Sequence, residues 1–124
     1  MNSYNDKPIT GAESYDLSET EIFELNRISE NGNADAAFRL AMYYEFAKYD
    51  QKLSLYFFER ASKLGNNRAK LFLGVKQIQS SDPVQHAEGI RLLTEAADSG
   101  EKRAREILQE VDMRQNGDGS GIPE

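Results

Sequence analysis

The sequence contains no cysteine and a single histidine, and this scarcity removes most metal and nucleophilic chemistry. Without cysteine the chain has no disulfide framework and no thiolate nucleophile. One imidazole without a thiolate argues against a zinc site or a Ser-His-Asp arrangement, so we interpret His86 as a solvent-exposed residue near a helix start. Glu19, Glu21 and Glu24 are spread around a predicted helix, which indicates a solvated face rather than metal ligands.

Glycine-rich phosphate loops of the P-loop or dinucleotide type are also missing, and the repeated glycines fall at the joints between predicted helices. The tail NGDGSG places Asn116, Asp118 and Ser120 at alternate positions before Gly121, as the opening of a calcium loop does. No bidentate carboxylate follows at the twelfth loop position, so we do not expect calcium binding. We predict that the chain is not an enzyme and holds no cofactor and no metal.

Charge and hydropathy narrow the possible partners. Fifteen Lys and Arg against 21 Asp and Glu give a formal net charge of −6. This balance argues against nucleic acid or an anionic membrane as partner and permits a basic protein. No run approaches the roughly 18 apolar residues that cross a bilayer, and residues 1–16 lack the basic and apolar pattern of a secretory signal. We therefore expect a cytoplasmic protein.

Three similar phrases recur along the chain: ISENGNADAAFRLA, ASKLGNNRAKLFLG and AADSGEKRAREILQ. Each phrase contains a glycine, an alanine four residues later and a leucine four residues beyond that. The three sets are Gly32, Ala36 and Leu40; Gly65, Ala69 and Leu73; and Gly100, Ala104 and Leu108. The glycines recur at about the 34-residue period of helix-turn-helix repeats. We predict that each glycine ends one helix in the left-handed conformation and that alanine and leucine share a face of the next.

Capping residues and apolar spacing together predict an all-α fold with no strands. Ser18 and Glu21 form a predicted capping box, while Asp50 and Asp82 are predicted to cap later helices. Six helices are predicted, near residues 18–31, 34–48, 51–64, 67–79, 83–98 and 101–113. The predicted organisation is a flexible N-terminus at 1–16, a helical-repeat domain at 17–113 and a flexible C-terminal tail at 114–124.

The repeat resembles a known family over residues 33–111. One unit reads Ala36-x3-Leu40-Ala41-x2-Tyr44 and then Phe57-x2-Arg60-Ala61-Ser62-x2-Gly65. A second reads Ala69-x3-Leu73-Gly74 and then Leu92-x2-Glu95-Ala96-Ala97-x2-Gly100. These runs are similar to the Sel-one-like repeat (SLR), a relative of the tetratricopeptide repeat. The resemblance implies a right-handed α-solenoid of antiparallel helix pairs whose typical work is holding another protein.

Aromatic residues crowd the predicted helix pair at 34–64, and none follows Phe72. In a solenoid the first helix of each pair lines the concave surface. We predict a partner-binding groove formed by Met42, Glu45, Phe46, Tyr49, Arg68, Leu71, Val75 and Ile78. The alternative is that neighbouring helices bury part of this stripe. The N-terminus, with Tyr4 and Tyr15, is also able to fold over the groove.

These observations favour a non-enzymatic protein-protein interaction module with one dedicated partner. Small acidic proteins of this repeat class resemble immunity proteins that neutralise a cognate bacterial toxin, so a basic toxin or effector domain is one candidate partner. An adaptor or regulator that binds a signalling or host protein is the alternative. An enzyme with an unrecognised site is a third and more distant one.

Overall fold

The computed structural model describes the backbone of residues 15–120 and the side chains of residues 15–115. This part of the chain forms six helices and no strand, which confirms the all-α prediction. The helices are α1 (Glu19–Glu30), α2 (Ala34–Phe46), α3 (Gln51–Lys63), α4 (Asn67–Ile78), α5 (Pro83–Asp98) and α6 (Lys102–Ser120). Consecutive helices pack against each other, most closely within the pairs α2–α3 and α4–α5, as in a helical-repeat solenoid.

One predicted boundary is wrong. Helix α6 ends at Ser120 rather than near 113, so its backbone continues into the segment expected to be a tail. Once a helix has formed, each further residue adds a backbone hydrogen bond, and no proline lies between 113 and Ser120 to prevent this. The side chains of the calcium-like segment from Asn116 and most of the predicted N-terminal segment lie outside the described residues.

Side-chain caps determine where the first five helices begin. At each start a polar side chain accepts a hydrogen bond from a backbone N–H of the first turn. The capping residues are Ser18, Asn33, Asp50, Asn66 and Asp82. The predicted capping box is present, since Ser18 and Glu21 exchange hydrogen bonds of 2.8 and 3.1 Å. Each cap satisfies a donor that would otherwise lack a partner, typically worth about 1 kcal/mol.

The three repeated glycines hold the left-handed conformation predicted for them. Their φ angles are +97° at Gly32 and +103° at both Gly65 and Gly100. At the second joint the N–H of Gly65 donates to Ser62 O at 3.0 Å, and the next N–H, of Asn66, donates to Ala61 O at 2.9 Å. This pair of bonds defines a Schellman turn. Asn66 also caps α4, so Gly65 and Asn66 together end α3 and begin α4.

Helix α2 lies at the centre of the first half of the fold. Seven of its residues are buried: Ala36, Ala37, Phe38, Leu40, Ala41, Met42 and Tyr43. All of them except Tyr43 belong to a core cluster in which the Phe58 and Phe72 rings stack with centroids 5.4 Å apart, and Phe38 contacts both. A helix that is apolar on nearly all sides is one that has neighbours on nearly all sides. A second cluster joins the C-terminal half around Leu93, Ala96, Ala104 and Ile107.

Helices α4 and α5 approach closely where two glycines face each other. A Cβ placed on Gly89 would lie 2.8 Å from the backbone nitrogen of Ile78 and 2.9 Å from Gly74 O. A Cβ placed on Gly74 would lie 2.8 Å from Leu93 Cγ. No carbon atom fits at these distances, so the crossing requires glycine for space rather than for backbone conformation.

Replacing Gly89 by alanine should therefore destabilise the fold by about 1 to 3 kcal/mol, because the methyl group meets backbone atoms that cannot move aside. Helix propensity alone predicts the opposite sign, a gain of about 1 kcal/mol. Urea unfolding followed by circular dichroism measures the difference, with Thr94→Ala on the exposed side of α5 as the control. A stabilised Gly89→Ala protein would show that the helices are farther apart.

The left-handed joints generate a second prediction. Gly65→Val should destabilise the protein by at least about 1 kcal/mol more than Gly65→Asn, because asparagine tolerates positive φ and a β-branched residue does not. No atom lies within 4 Å of a Cβ at this position, so the difference reports backbone conformation and not crowding. Equal midpoints in thermal melts of the two variants would contradict this.

Candidate protein-binding surface

The first predicted groove residue, Met42, lies in the core. Its side chain is 8% exposed and belongs to the cluster around α2, so the expectation that it faces outward is wrong. The physical reason is the position of α2, which packs against α1 and α3 and contacts α4 through the Phe38 and Phe72 rings. The alternative interpretation, that neighbouring helices bury part of the stripe, is the one that describes Met42.

The α4 part of the predicted groove is also covered in large measure. Leu71, Val75 and Ile78 are half-buried and pack against the second core cluster, which contains α5 and α6 side chains. They therefore connect the last repeat to the rest of the fold instead of lining a free surface. The pattern within one helix does not reveal this burial, because it depends on side chains that α5 and α6 contribute.

Glu45 ties three helices together instead of edging a groove. Its Oε1 accepts a hydrogen bond from Ser54 Oγ at 2.5 Å, and Lys76 Nζ lies 3.0 Å from Oε1 and 3.1 Å from Oε2. Lys76 also donates to Gln51 Oε1 at 3.3 Å. The group links α2, α3 and α4, and since it is mostly buried it is screened less by solvent than a surface ion pair. We assign it a structural role.

Phe46 and Arg68 remain at the surface but with different surroundings. Phe46 is 37% exposed, and its ring lies 5.0 Å from that of Tyr15 and 6.3 Å from that of Phe72. Tyr15 thus covers part of the predicted groove, while Tyr4 lies outside the described residues. Arg68 is exposed, with its guanidinium carbon 5.5 Å from the centre of the Phe38 ring.

Tyr49 is the most exposed apolar residue of the predicted set. Its side chain is 76% exposed and its φ is +55°, a left-handed conformation that few residues other than glycine and asparagine adopt. Hydrogen bonds from Lys48 N to Tyr43 O, at 3.1 Å, and from Asp50 N to Tyr44 O, at 2.8 Å, hold the turn. Burial, assisted by Tyr43 and Asp50, raises the pKa of Tyr44, so its phenol stays neutral beneath this turn.

Helix α3 adds apolar side chains that the predicted site omitted. Leu53, Leu55 and Tyr56 are all exposed, although the helical spacing of Leu53 with Phe57 and Ala61 is that of a core face. Leu55 and Tyr56 lie off the periodic stripe that runs through Phe57 and Ala61, and that departure was a signal in the sequence. Together with Tyr49, in the turn before α3, they place four exposed apolar side chains at and just before the start of this helix, a concentration typical of protein-binding surfaces.

An open cleft of about 610 Å³ separates α3 from α5. Its lining residues are Gln51, Leu55, Glu59, Lys76, Gln77, Gln79, Val84, Gln85 and Glu88. A hydrogen bond from Arg91, assisted by its charge, lowers the pKa of Glu88, which therefore stays ionised. Nearby, His86 is half-buried with Nδ1 3.0 Å from Ile78 O, so the prediction of a solvent-exposed histidine is wrong. Because a carbonyl only accepts, Nδ1 is the protonated nitrogen, and it closes the α4–α5 turn.

Other kinds of site have no counterpart in the described residues. Among residues 15–115 no group of three or more acidic or histidine side chains is arranged to hold a metal ion. Within the same part of the chain, no helix combines the length and the hydropathy that a membrane crossing requires.

The paired helices, left-handed joints and shared cores define a tetratricopeptide-like helical-repeat protein, a class whose members act as protein-protein interaction modules and are typically not enzymes. The chain belongs to the family described as plant tetratrico peptide repeats, whose profile matches residues 10–114. It is also similar to the uncharacterized protein YibG of Escherichia coli (strain K12), with 41% identity over 64 residues. That match covers 52% of this chain and 42% of the relative. No solved structure matches the chain.

The position of Phe46 between two rings predicts the effect of a charge there. Phe46→Glu should destabilise the protein by about 1 to 3 kcal/mol, because the carboxylate would be partly desolvated between Tyr15 and Phe72. An ordinary surface substitution changes the free energy of unfolding by less than about 0.5 kcal/mol. Urea unfolding separates the two values, and Phe46→Leu is the matched control. An unaffected Phe46→Glu protein would mean that the ring contacts contribute nothing to stability.

Proposed function

We propose that this chain binds one dedicated protein partner and that it is an immunity protein which neutralises a bacterial toxin by covering the toxin's functional surface. In this proposal it acts in the cytoplasm, catalyses no reaction and belongs to the Sel-one-like branch of the helical repeats, as its Leu73-Gly74 and Ala96-Ala97-x2-Gly100 motifs suggest. The repeat class supports a binding role, because a short solenoid presents one continuous surface to one partner.

The observation that carries the proposal is the exposure of Tyr49. An aromatic ring that stays in water contributes little to the stability of the fold. A non-glycine residue at positive φ destabilises the fold by about 1 kcal/mol or more. Glycine or asparagine would avoid that cost at this position, as glycine does at the three repeat joints. A ring that is exposed and held in a costly conformation is well suited to anchor a partner, since preordered aromatic residues contribute strongly to interface energies.

Neighbouring side chains supply the rest of the proposed interface. Leu53 and Tyr56 extend the apolar surface along α3. From the predicted groove, Phe46 and Arg68 keep exposed atoms and stay within the proposal. The net charge of −6 favours a basic partner, because opposite charges accelerate encounter and disfavour acidic competitors.

Tyr49→Asn tests the proposed surface by separating folding from binding. Asparagine accepts the left-handed conformation, so stability should stay constant or rise by up to about 1 kcal/mol. Partner affinity should fall about tenfold or more, because the ring is lost from the interface. Calorimetric titration against the partner captured from the source cell measures the affinity. Tyr49→Phe is the control and should bind like the original chain. If Tyr49→Asn binds equally well, the partner uses another face.

The immunity role has its own test. The captured partner should stop bacterial growth when expressed alone, and co-expression of this chain should restore growth while co-expression of Tyr49→Asn restores it less. A captured signalling protein without toxicity would contradict the immunity role and favour the adaptor role.

A further inference from the structure

We propose that the cleft between α3 and α5 receives an arginine side chain carried by an extended segment of the partner protein. This inference rests on the proposed function in one respect, namely that the chain binds a protein. It concerns side chains that the predicted groove did not contain. Leu55 and Glu59 come from α3, Gln77 from α4 and Val84 from α5, so the repeat packing is what assembles the cleft.

The cleft offers hydrogen-bond acceptors that nothing in the described chain uses. Gln77 lines the cleft, and its Oε1 is closed to solvent and has no hydrogen-bond partner among the described residues, so a ligand reaches this atom only once the Gln77 side chain turns. Within residues 15–115 the Glu59 carboxylate is exposed and has neither an ion pair nor a hydrogen bond. A buried acceptor without a donor is destabilising, so a ligand that donates an N–H to it, once the side chain has turned, recovers that free energy.

The other charged groups of the cleft already have partners. Lys76 is bound by Glu45, with Nζ 3.0 Å from Oε1, and Glu88 is bound by Arg91. The charge left over is that of Glu59, which attracts a cation and repels a carboxylate. This local balance has the same sign as the net charge of −6 for the whole chain.

Arginine fits these features better than other side chains. Its guanidinium carries five N–H donors that point in several directions, so one group is able to serve a carboxylate and an amide oxygen together. It is also more weakly hydrated than an ammonium group and costs less to bring into a partly buried site. Leu55, 40% exposed, and Val84, 76% exposed, stand on opposite helices and present apolar surface for the aliphatic stem.

The shape and the remaining lining favour an extended segment over a free amino acid. The cleft is open to solvent, and its volume of about 610 Å³ exceeds what one side chain fills. Gln79 and Gln85 also line it, and amide side chains both donate and accept hydrogen bonds. These are the groups that satisfy the N–H and C=O of a peptide backbone lying along the opening.

The test is a nuclear magnetic resonance titration of the isotope-labelled full chain with blocked peptides. The probe is acetyl-Val-Arg-Val-amide, and the matched probe is acetyl-Val-Gln-Val-amide. We expect saturable shifts of the Leu55 and Val84 methyl groups and of the Gln77 side-chain amide with the arginine probe. Affinity should be about three- to tenfold weaker for the glutamine probe, as expected for loss of one partly screened charged contact.

Glu59→Gln tests the carboxylate directly. Glu59 is exposed, so the variant should keep the same melting temperature and lose affinity for the arginine probe about three- to tenfold. Glu110→Gln removes the same charge from the exposed side of α6 and should bind like the original chain. Equal affinity for both probes, unchanged binding by Glu59→Gln, or shifts only around Phe46 would each overturn the proposal. None of these results bears on the Tyr49 test, so the two proposals fail separately.

Discussion

The left-handed turn at Gly32, Gly65 and Gly100 is the constraint on which the rest of the structure depends. Each glycine follows one helix, and the next helix begins two residues later. Such a short connection leaves little freedom in the angle between the two helices. At the first two joints an asparagine follows and caps the next helix. Backbone geometry at these joints thus restricts the direction of the helix that follows, and the turns bring the apolar faces of the two helices together.

This arrangement also decides which surfaces stay free. Because the three joints are short, α2 and α4 pack closely between their neighbours. Met42 is therefore buried, and Leu71, Val75 and Ile78 are half-buried. Exposed apolar residues are then found on the turn and helix that follow α2, where Tyr49, Leu53 and Tyr56 lie. The same packing opens a cleft between α3 and α5, because those two helices are separated by α4 instead of packing directly.

Much of the fold could be predicted from sequence because its signals are local. A cap such as Ser18 with Glu21, or a glycine such as Gly65, acts within one turn of the chain, and five of the six helices end within two or so residues of their predicted limits. The candidate site was less predictable because exposure depends on residues distant in the sequence. Glu45 was predicted to lie at the edge of the groove, because its contacts with Ser54 and Lys76 come from two other helices and cannot be inferred from its own.

The two kinds of connection in the repeat carry different demands. Joints that contain Gly32, Gly65 or Gly100 must hold one conformation, since the distance between helices in the next pair depends on it. The connections at 47–50 and 79–82 join helices already held by packing, notably by the close approach at Gly74 and Gly89. These connections therefore tolerate a locally unfavourable backbone conformation, such as the positive φ of the exposed Tyr49. Residues on these connections and the adjoining helices are able to change without disturbing the fold, which suits a surface that binds another protein.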